Sequence, residues 1–334
     1  MRYIIAVALS LIVLTIVVMV QSTPTTEQKV AATYIPNTDN RPITPIPKAI
    51  ELNQLKVQLG RILFHDKRLS KDNSVACSNC HNLNRAGQDG IAVAIGVKGL
   101  KGSVNSPTVF NSGFAFRQFW DGRAPTLEDQ VGGPIHNPVE MASNWQEVIG
   151  KLRSDPKIAS MFDQIWQEEI SQHGIQEAIA EFERSLITPN SPFDRYLMGE
   201  EAALTADEIS GWHLFRDLGC ISCHQGIGIG NNMYANLGVM GDYFGDRGKP
   251  IVKSDLGRFN VTGKERDKHV FKVPGLRNIA LTAPYFHDGS IDTLDEVVNT
   301  MARYQLGINL NKQQRNQLVS FLKSLTGQFQ KDGS

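Results

Sequence analysis

Two short stretches of this chain carry residues whose spacing serves chemistry rather than packing: CSNCH, from Cys77 to His81, and CISCH, from Cys220 to His224. In each, a Cys-x-x-Cys pair is followed at once by an imidazole. In a covalent haem site the two thiols form thioethers with the porphyrin vinyl groups and the next residue supplies an axial nitrogen, which fixes this spacing. The same residues have two other readings: one zinc site shared by both pairs, or two redox dithiols. A zinc ribbon brings its pairs much closer along the chain, and a dithiol has no need of a following His. Only haem attachment accounts for both histidines. The chain has four cysteines and these motifs use all of them, so none is left for a structural disulfide. Two covalently bound haem c groups are therefore expected, on Cys77, Cys80 and His81 and on Cys220, Cys223 and His224.

The elements that must position these motifs repeat as well. Gly60-Arg-Ile-Leu-Phe-His-Asp66 precedes the first and Gly211-Trp-His-Leu-Phe-Arg-Asp217 the second, and both read G-x-x-L-F-x-D. From Asp66 to Cys77 the loop is longer than from Asp217 to Cys220, but the plan is the same. Helical spacing dominates elsewhere: Ile175, Ala178, Ile179, Phe182 and Leu186 recur on one face, as do Leu318, Phe321, Leu322 and Leu325, with Gly327 as a stop. Capping boxes at Thr205–Glu208 and Thr293–Glu296 mark helix starts. Strand-like alternation is scarce. The fold expected is all-α: two cytochrome c-like haem domains related by internal duplication, with long loops.

Covalent haem is attached outside the bacterial cytoplasm, and the N-terminus offers an export signal. Met1-Arg2-Tyr3 leads into an uncharged apolar run from Ile4 to Val20, without a clear small-x-small cleavage site after it. A cleaved signal peptide and an uncleaved membrane anchor both fit. Residues 21–48 are rich in Thr and Pro and read as a tether. The remainder divides into a first haem domain over 49–195 and a second over 196–330. The 34 basic and 34 acidic residues cancel, so nothing argues for nucleic acid as a partner.

Two haems permit either an electron carrier, with both irons six-coordinate, or an enzyme with one iron open to a small substrate. The second axial ligand decides. Downstream of the second motif stand Met233, Met240 and Met301, and spacing alone does not choose among them, since a Met on a helical apolar stripe is usually core filler.

Beyond the tether the chain resembles the bacterial dihaem cytochrome c peroxidases. The resemblance is carried by LFHDKRLS, CSNCH, NSPTVFN, FWDGR, GPIHNPVEM, GCISCH, VPGLRNIALTAPYFHDGS and MARYQLG, in the family's order and spacing. It implies that His81 is the proximal ligand of a low-potential peroxidatic haem, and that His224 and Met301 ligate a high-potential haem where electrons enter. It implies Glu140 as the distal acid-base, Trp120 as an electron path between the haems, and Gln130 as a further position lining the distal pocket. It also implies one calcium ion between the domains, on the Asn105 side chain and the Thr282 and Pro284 carbonyls with waters, a set of ligands suited to a hard cation. Unaided, Glu140 reads as a surface residue and Trp120 as an interface filler. The implied activity is reduction of hydrogen peroxide to water with electrons from a small periplasmic donor, a cytochrome c or a cupredoxin, by an enzyme that is commonly a homodimer.

One position departs from the family. Many members carry a histidine in the loop written here Ala94-Ile-Gly-Val-Lys-Gly99, which caps the resting peroxidatic iron; this chain has Val97 there. The expectation is an iron open to peroxide without prior reduction. His136 is the nearest replacement ligand; His65, His173, His213 and His269 read as structural or exposed, and His287 as orienting its surroundings near the second haem. An open first haem is also a trait of the related dihaem enzymes that mature a tryptophylquinone cofactor, but those have tyrosine where Met301 stands, which favours the peroxidase. The alternatives are such an oxidase acting on a partner protein, and a non-enzymatic electron carrier.

Overall fold

A computed structural model describes residues 41–329. The apolar run 4–20 and most of the tether lie outside the described residues. Within them the chain forms twelve helices: α1 (Gln54–Phe64), α2 (Cys77–Cys80), α3 (Leu127–His136), α4 (Trp145–Leu152), α5 (Pro156–Trp166), α6 (Gln172–Ser185), α7 (Pro192–Leu197), α8 (Ala206–Asp217), α9 (Tyr243–Asp246), α10 (Phe259–Thr262), α11 (Leu294–Leu306) and α12 (Lys312–Ser324). None is long and apolar enough to cross a membrane. Two short strands join them, β1 (Tyr234–Asn236) and β2 (Val270–Lys272), antiparallel with Tyr234 opposite Lys272. The helical expectation holds, and this small ribbon is the strand content that alternation did not reveal.

Helix starts follow their caps. Thr205 accepts from the Glu208 N–H while the Glu208 carboxylate takes the Thr205 N–H at 2.7 Å, a closed capping box on α8. At α11 the Thr293 hydroxyl accepts from the Glu296 N–H. These contacts satisfy backbone donors that the first turn leaves without partners.

Two apolar clusters form the core, and the same lock sits in each. In the first, α1 crosses α6 at Gly60, where a Cβ would overlap the Ala178 carbonyl and come within 2.7 Å of the Phe182 Cβ. In the second, α8 crosses α12 at Gly211, where a Cβ would overlap the Gln317 carbonyl and come within 2.8 Å of the Phe321 Cβ. The phenylalanine four residues on completes each crossing: Phe64 meets Phe182 at 5.2 Å between ring centres, and Phe215 meets Phe321 at 5.1 Å. The repeated G-x-x-L-F-x-D thus has a physical reason: glycine lets two helices touch backbone to backbone, and the aromatic ring fills the space beside the contact. Each such ring, fully buried, contributes about 1.5–3 kcal/mol of hydrophobic stabilisation.

Leu186 is buried in the first cluster, while Phe193 of α7 is buried in the second with Tyr196 and Leu197 packed against it, so the two cores meet across 187–192. The end of the Thr/Pro-rich stretch is built into the second half: Ile43 is buried there, and the carbonyls of Pro42 and Thr44 accept from the Gly226 N–H at 2.7 Å and the Arg277 guanidinium at 3.0 Å. The other end crosses the opposite way. Phe329 packs on Phe110 of the first cluster, with ring centres 4.5 Å apart.

Candidate functional site

In the first motif α2 is one turn long, which places Cys77 and Cys80, three residues apart, on the same face, and the His81 N–H closes onto the Cys77 carbonyl at 2.9 Å. The His81 Nδ1 faces the Gly87 carbonyl at 3.3 Å. With Nδ1 as donor to that carbonyl, Nε2 is the nitrogen left for a metal, an arrangement that fixes ring orientation and tautomer. Burial lowers the His81 pKa, with the Gly87 carbonyl acting against it. The second motif repeats the closure: the His224 N–H meets the Cys220 carbonyl at 3.0 Å, after Gly219 turns the chain out of α8 at φ +96°. Burial pushes His224 down to about 4. Its Nδ1 is buried and closes no full hydrogen bond, although the Ile229 and Pro274 carbonyls lie close enough to oppose that shift.

The thiols are equally specific. Burial pushes the thiol of Cys77 up, that of Cys80 to about 12 and that of Cys220 to about 11. No three His, Cys, Asp or Glu side chains among the described residues are grouped to hold a metal ion, so the two motifs do not converge on zinc. Two pairs of thiols, each followed by one imidazole, fit covalent haem.

Glu140 is brought to the first motif. It follows α3 in a tight turn in which the Asn137 amide donates to Oε1 at 2.7 Å. Burial raises its pKa, with Arg123 and Asn137 acting against it, and its charge is felt at the Cys80 thiol. The Val97 loop lies directly against it: the Val97 N–H donates to the Glu140 carbonyl at 2.8 Å, and a Cβ on Gly96 would stand 2.5 Å from the Glu140 Cα. Val97 itself is 3% exposed, its side chain turned into the first core. Gln130 lies half-buried on α3, and His136, four residues before Glu140, is exposed, its Nδ1 on the Gly132 carbonyl at 2.7 Å and its ring edge-on to Trp145.

Trp120 joins the two halves. It comes from the loop before α3, yet packs against the second core, donates its indole N–H to the Asn105 carbonyl at 2.9 Å and meets His287 edge to face at 6.5 Å. Its own carbonyl accepts from the Lys272 N–H at 2.8 Å. The residues matched to calcium share this seam. The Asn105 N–H donates to the His287 carbonyl at 2.8 Å, its Nδ2 to the Ile91 carbonyl at 2.9 Å, and Gln88 reaches the Ala283 carbonyl, between Thr282 and Pro284. Met301 sits on α11, partly buried against the second core beside Tyr304, whereas Met240 is 60% exposed.

Sequence reasoning passed over Asp255. Fully buried, it takes Arg247 through both carboxylate oxygens, at 2.9 and 2.7 Å, and His287 Nε2 at 2.7 Å. It is the group that orients His287.

The model of the family described as di-haem cytochrome c peroxidase matches residues 54–202. Over 289 residues the chain is 44% identical to the cytochrome c551 peroxidase of Nitrosomonas europaea, covering 86% of this chain and 85% of that one. The chain belongs to the di-haem cytochrome c peroxidase family. It is 50% identical over 296 residues to the cytochrome c peroxidase Ccp of Escherichia coli strain K12, covering 88% of this chain; it spans 63% of that relative's length. A crystal structure of a MauG-like protein associated with microbial copper homeostasis superposes with a TM-score of 0.75 at 32% identity, covering 86% of this chain and 94% of the other. The family assignment gives the paired motifs their cofactors, two haems.

Proposed function

We propose that this family member reduces hydrogen peroxide to two waters, with two electrons from a small periplasmic donor, a cytochrome c or a cupredoxin, and two protons. The observation that carries the reading is Glu140: a half-buried carboxyl with a raised pKa, near Cys80 of the motif whose imidazole has one nitrogen free. When bound through Cys77 and Cys80, haem would supply an iron that binds peroxide and passes electrons to it. Glu140 takes the proton from the inner oxygen of peroxide and delivers it to the outer oxygen, so that water is the leaving group. Gln130 lines the pocket beside it. His81, held through Nδ1 by the Gly87 carbonyl, would offer Nε2 to the iron. His224 and Met301 hold the second haem, where a thioether favours the reduced state and makes this the entry point for electrons. Trp120, with its indole fixed at the seam, carries them from the second haem to the first.

The finer features belong to the same proposal. Both haems are covalent. One calcium ion sits on the Asn105 side chain and the Thr282 and Pro284 carbonyls, bracing the seam. The matching glycine locks at Gly60 and Gly211 support two haem domains related by duplication. The enzyme is periplasmic, exported by residues 1–20, and a homodimer. Val97, tucked into the core against Glu140, supports a first iron that is open in the fully ferric protein.

Low-temperature EPR of the diferric protein, before and after stoichiometric peroxide and without reductant, tests the reading. A high-spin signal that peroxide abolishes is expected. Two low-spin signals that peroxide leaves unchanged, before and after one-electron reduction, would leave an electron carrier. The similarity to a MauG-like structure keeps an oxidase of a partner protein as the second reading, and peroxide turnover with reduced cytochrome c separates the two.

A further inference from the structure

Lys272, half-buried on β2, differs from the other inward-set cations of the described residues. Arg277 has Asp194 at 2.6 Å, Arg247 has Asp255 at 2.7 Å and Arg184 has Glu128 at 2.5 Å. The Lys272 ammonium donates to the Asn231 Oδ1 at 2.6 Å, and among the described residues it has no carboxylate at ion-pair distance and no second acceptor. Burial alone pulls its pKa down to about 8, with no acidic group opposing. An ammonium carries three donors and a strongly held hydration shell, and taking it from water without a counter-charge is unfavourable. Such a group marks a place where negative charge arrives from outside the polypeptide.

Its position says which charge. On β2 its backbone N–H holds the Trp120 carbonyl at 2.8 Å. Its head reaches Asn231, in the loop that follows the second motif, and next to Asn231 a Cβ on Gly230 would stand 3.3 Å from the His224 Nδ1. The ammonium therefore lies between the Trp120 segment and the backbone that supports the second imidazole. Haem brings two carboxylates of its own, the propionates, to such a site. We propose that Lys272 is the counter-charge for a propionate of the haem held by Cys220, Cys223 and His224, a positioning residue that ties that haem to the Trp120 segment and raises its reduction potential.

The inference rests on the second motif being a haem site, and the test separates the two. Full-length holoprotein is prepared as wild type, Lys272→Met and Lys272→Gln, the last keeping a hydrogen bond to Asn231 if the apolar variant does not fold, with Lys272→Arg as the charge-conserving control. Haem content is read by pyridine haemochrome and both potentials by spectroelectrochemical titration. Loss of the positive charge should shift the ferric/ferrous ratio of the second haem at least tenfold toward ferric at fixed potential, about 59 mV for one electron; Lys272→Arg should stay near wild type and the first haem should not move. Two haems per chain with an unmoved second potential, or a shift confined to the first haem, would overturn the assignment. One haem per wild-type chain would instead remove the reading beneath it.

Discussion

Glu183 of α6 is 5% exposed, and burial pushes its pKa up to about 8, with Arg184 acting against the shift and Glu128 adding to it. In the unfolded chain the same carboxyl titrates near 4.5. Below that value both states hold the proton and Glu183 costs nothing. Between pH 4.5 and 8 the folded chain keeps a proton that the unfolded chain releases, so stability falls by about 1.4 kcal/mol per pH interval, reaching about 5 kcal/mol at pH 8. Glu183→Gln removes the proton altogether. Relative to wild type, the variant should be nearly neutral at pH 4.5 and gain stability steadily as pH rises to 8. Guanidinium unfolding of both proteins by circular dichroism, at half-unit steps from pH 4.5 to 8.5, measures this difference and cancels the titrations they share. A difference that is flat across the range would show that Glu183 is ionised in the folded protein and that desolvation does not govern it.

Glu140→Gln should lower kcat/KM for peroxide by about 10²–10⁴-fold. In wild type, activity should fall as pH drops through a carboxyl pKa above 4.5, since the base is then protonated, and the stopped-flow profile of the variant should lack that limb. Gly60→Ala and Gly211→Ala should each destabilise by about 1–3 kcal/mol, because the added methyl drives two helix backbones apart. Gly150→Ala in α4, where a Cβ meets nothing within 4 Å, should stabilise by about 0.5–1 kcal/mol in the same denaturation assay. Arg277→Met leaves Asp194 buried with only the Ile46 and Ser191 N–H groups and should cost about 3–5 kcal/mol, read as a lower thermal midpoint.

Much of the proposed site was legible because haem attachment, as a chemistry, depends on residue type and spacing. CSNCH and CISCH declare their ligands, and G-x-x-L-F-x-D has a local meaning, a glycine contact closed by an aromatic ring. Glu140 and Trp120 were legible only through resemblance, since what sets them apart is long-range: the Gly96–Val97 backbone pressed on one, and the Asn105 carbonyl under the other. Asp255 and Lys272 were illegible for a related reason. A lone acid or base in a loop looks solvated in sequence, and only the fold shows that one has Arg247 and His287 for partners while the other has an amide. The same holds for residues 41–48, whose prolines suggest a free tether although Ile43 and Ile46 are buried. Two isoleucines in a polar stretch leave no periodicity to read.

The crossed ends have a mechanical consequence. Residues 42–46 leave the second half before the chain builds the first, and Gln328 and Phe329 return to the first after the second is complete, with the Gln328 N–H on the Pro189 carbonyl at 2.8 Å and Phe329 against Phe110. The halves are buckled together at both extremities as well as joined at 187–191. Neither can be excised at that junction as a self-sufficient unit, since each would leave behind a strip of its own core. Nor can they swing apart like a book opening on its spine. Separation of the two halves is therefore resisted at both ends of the described residues as well as along 187–191.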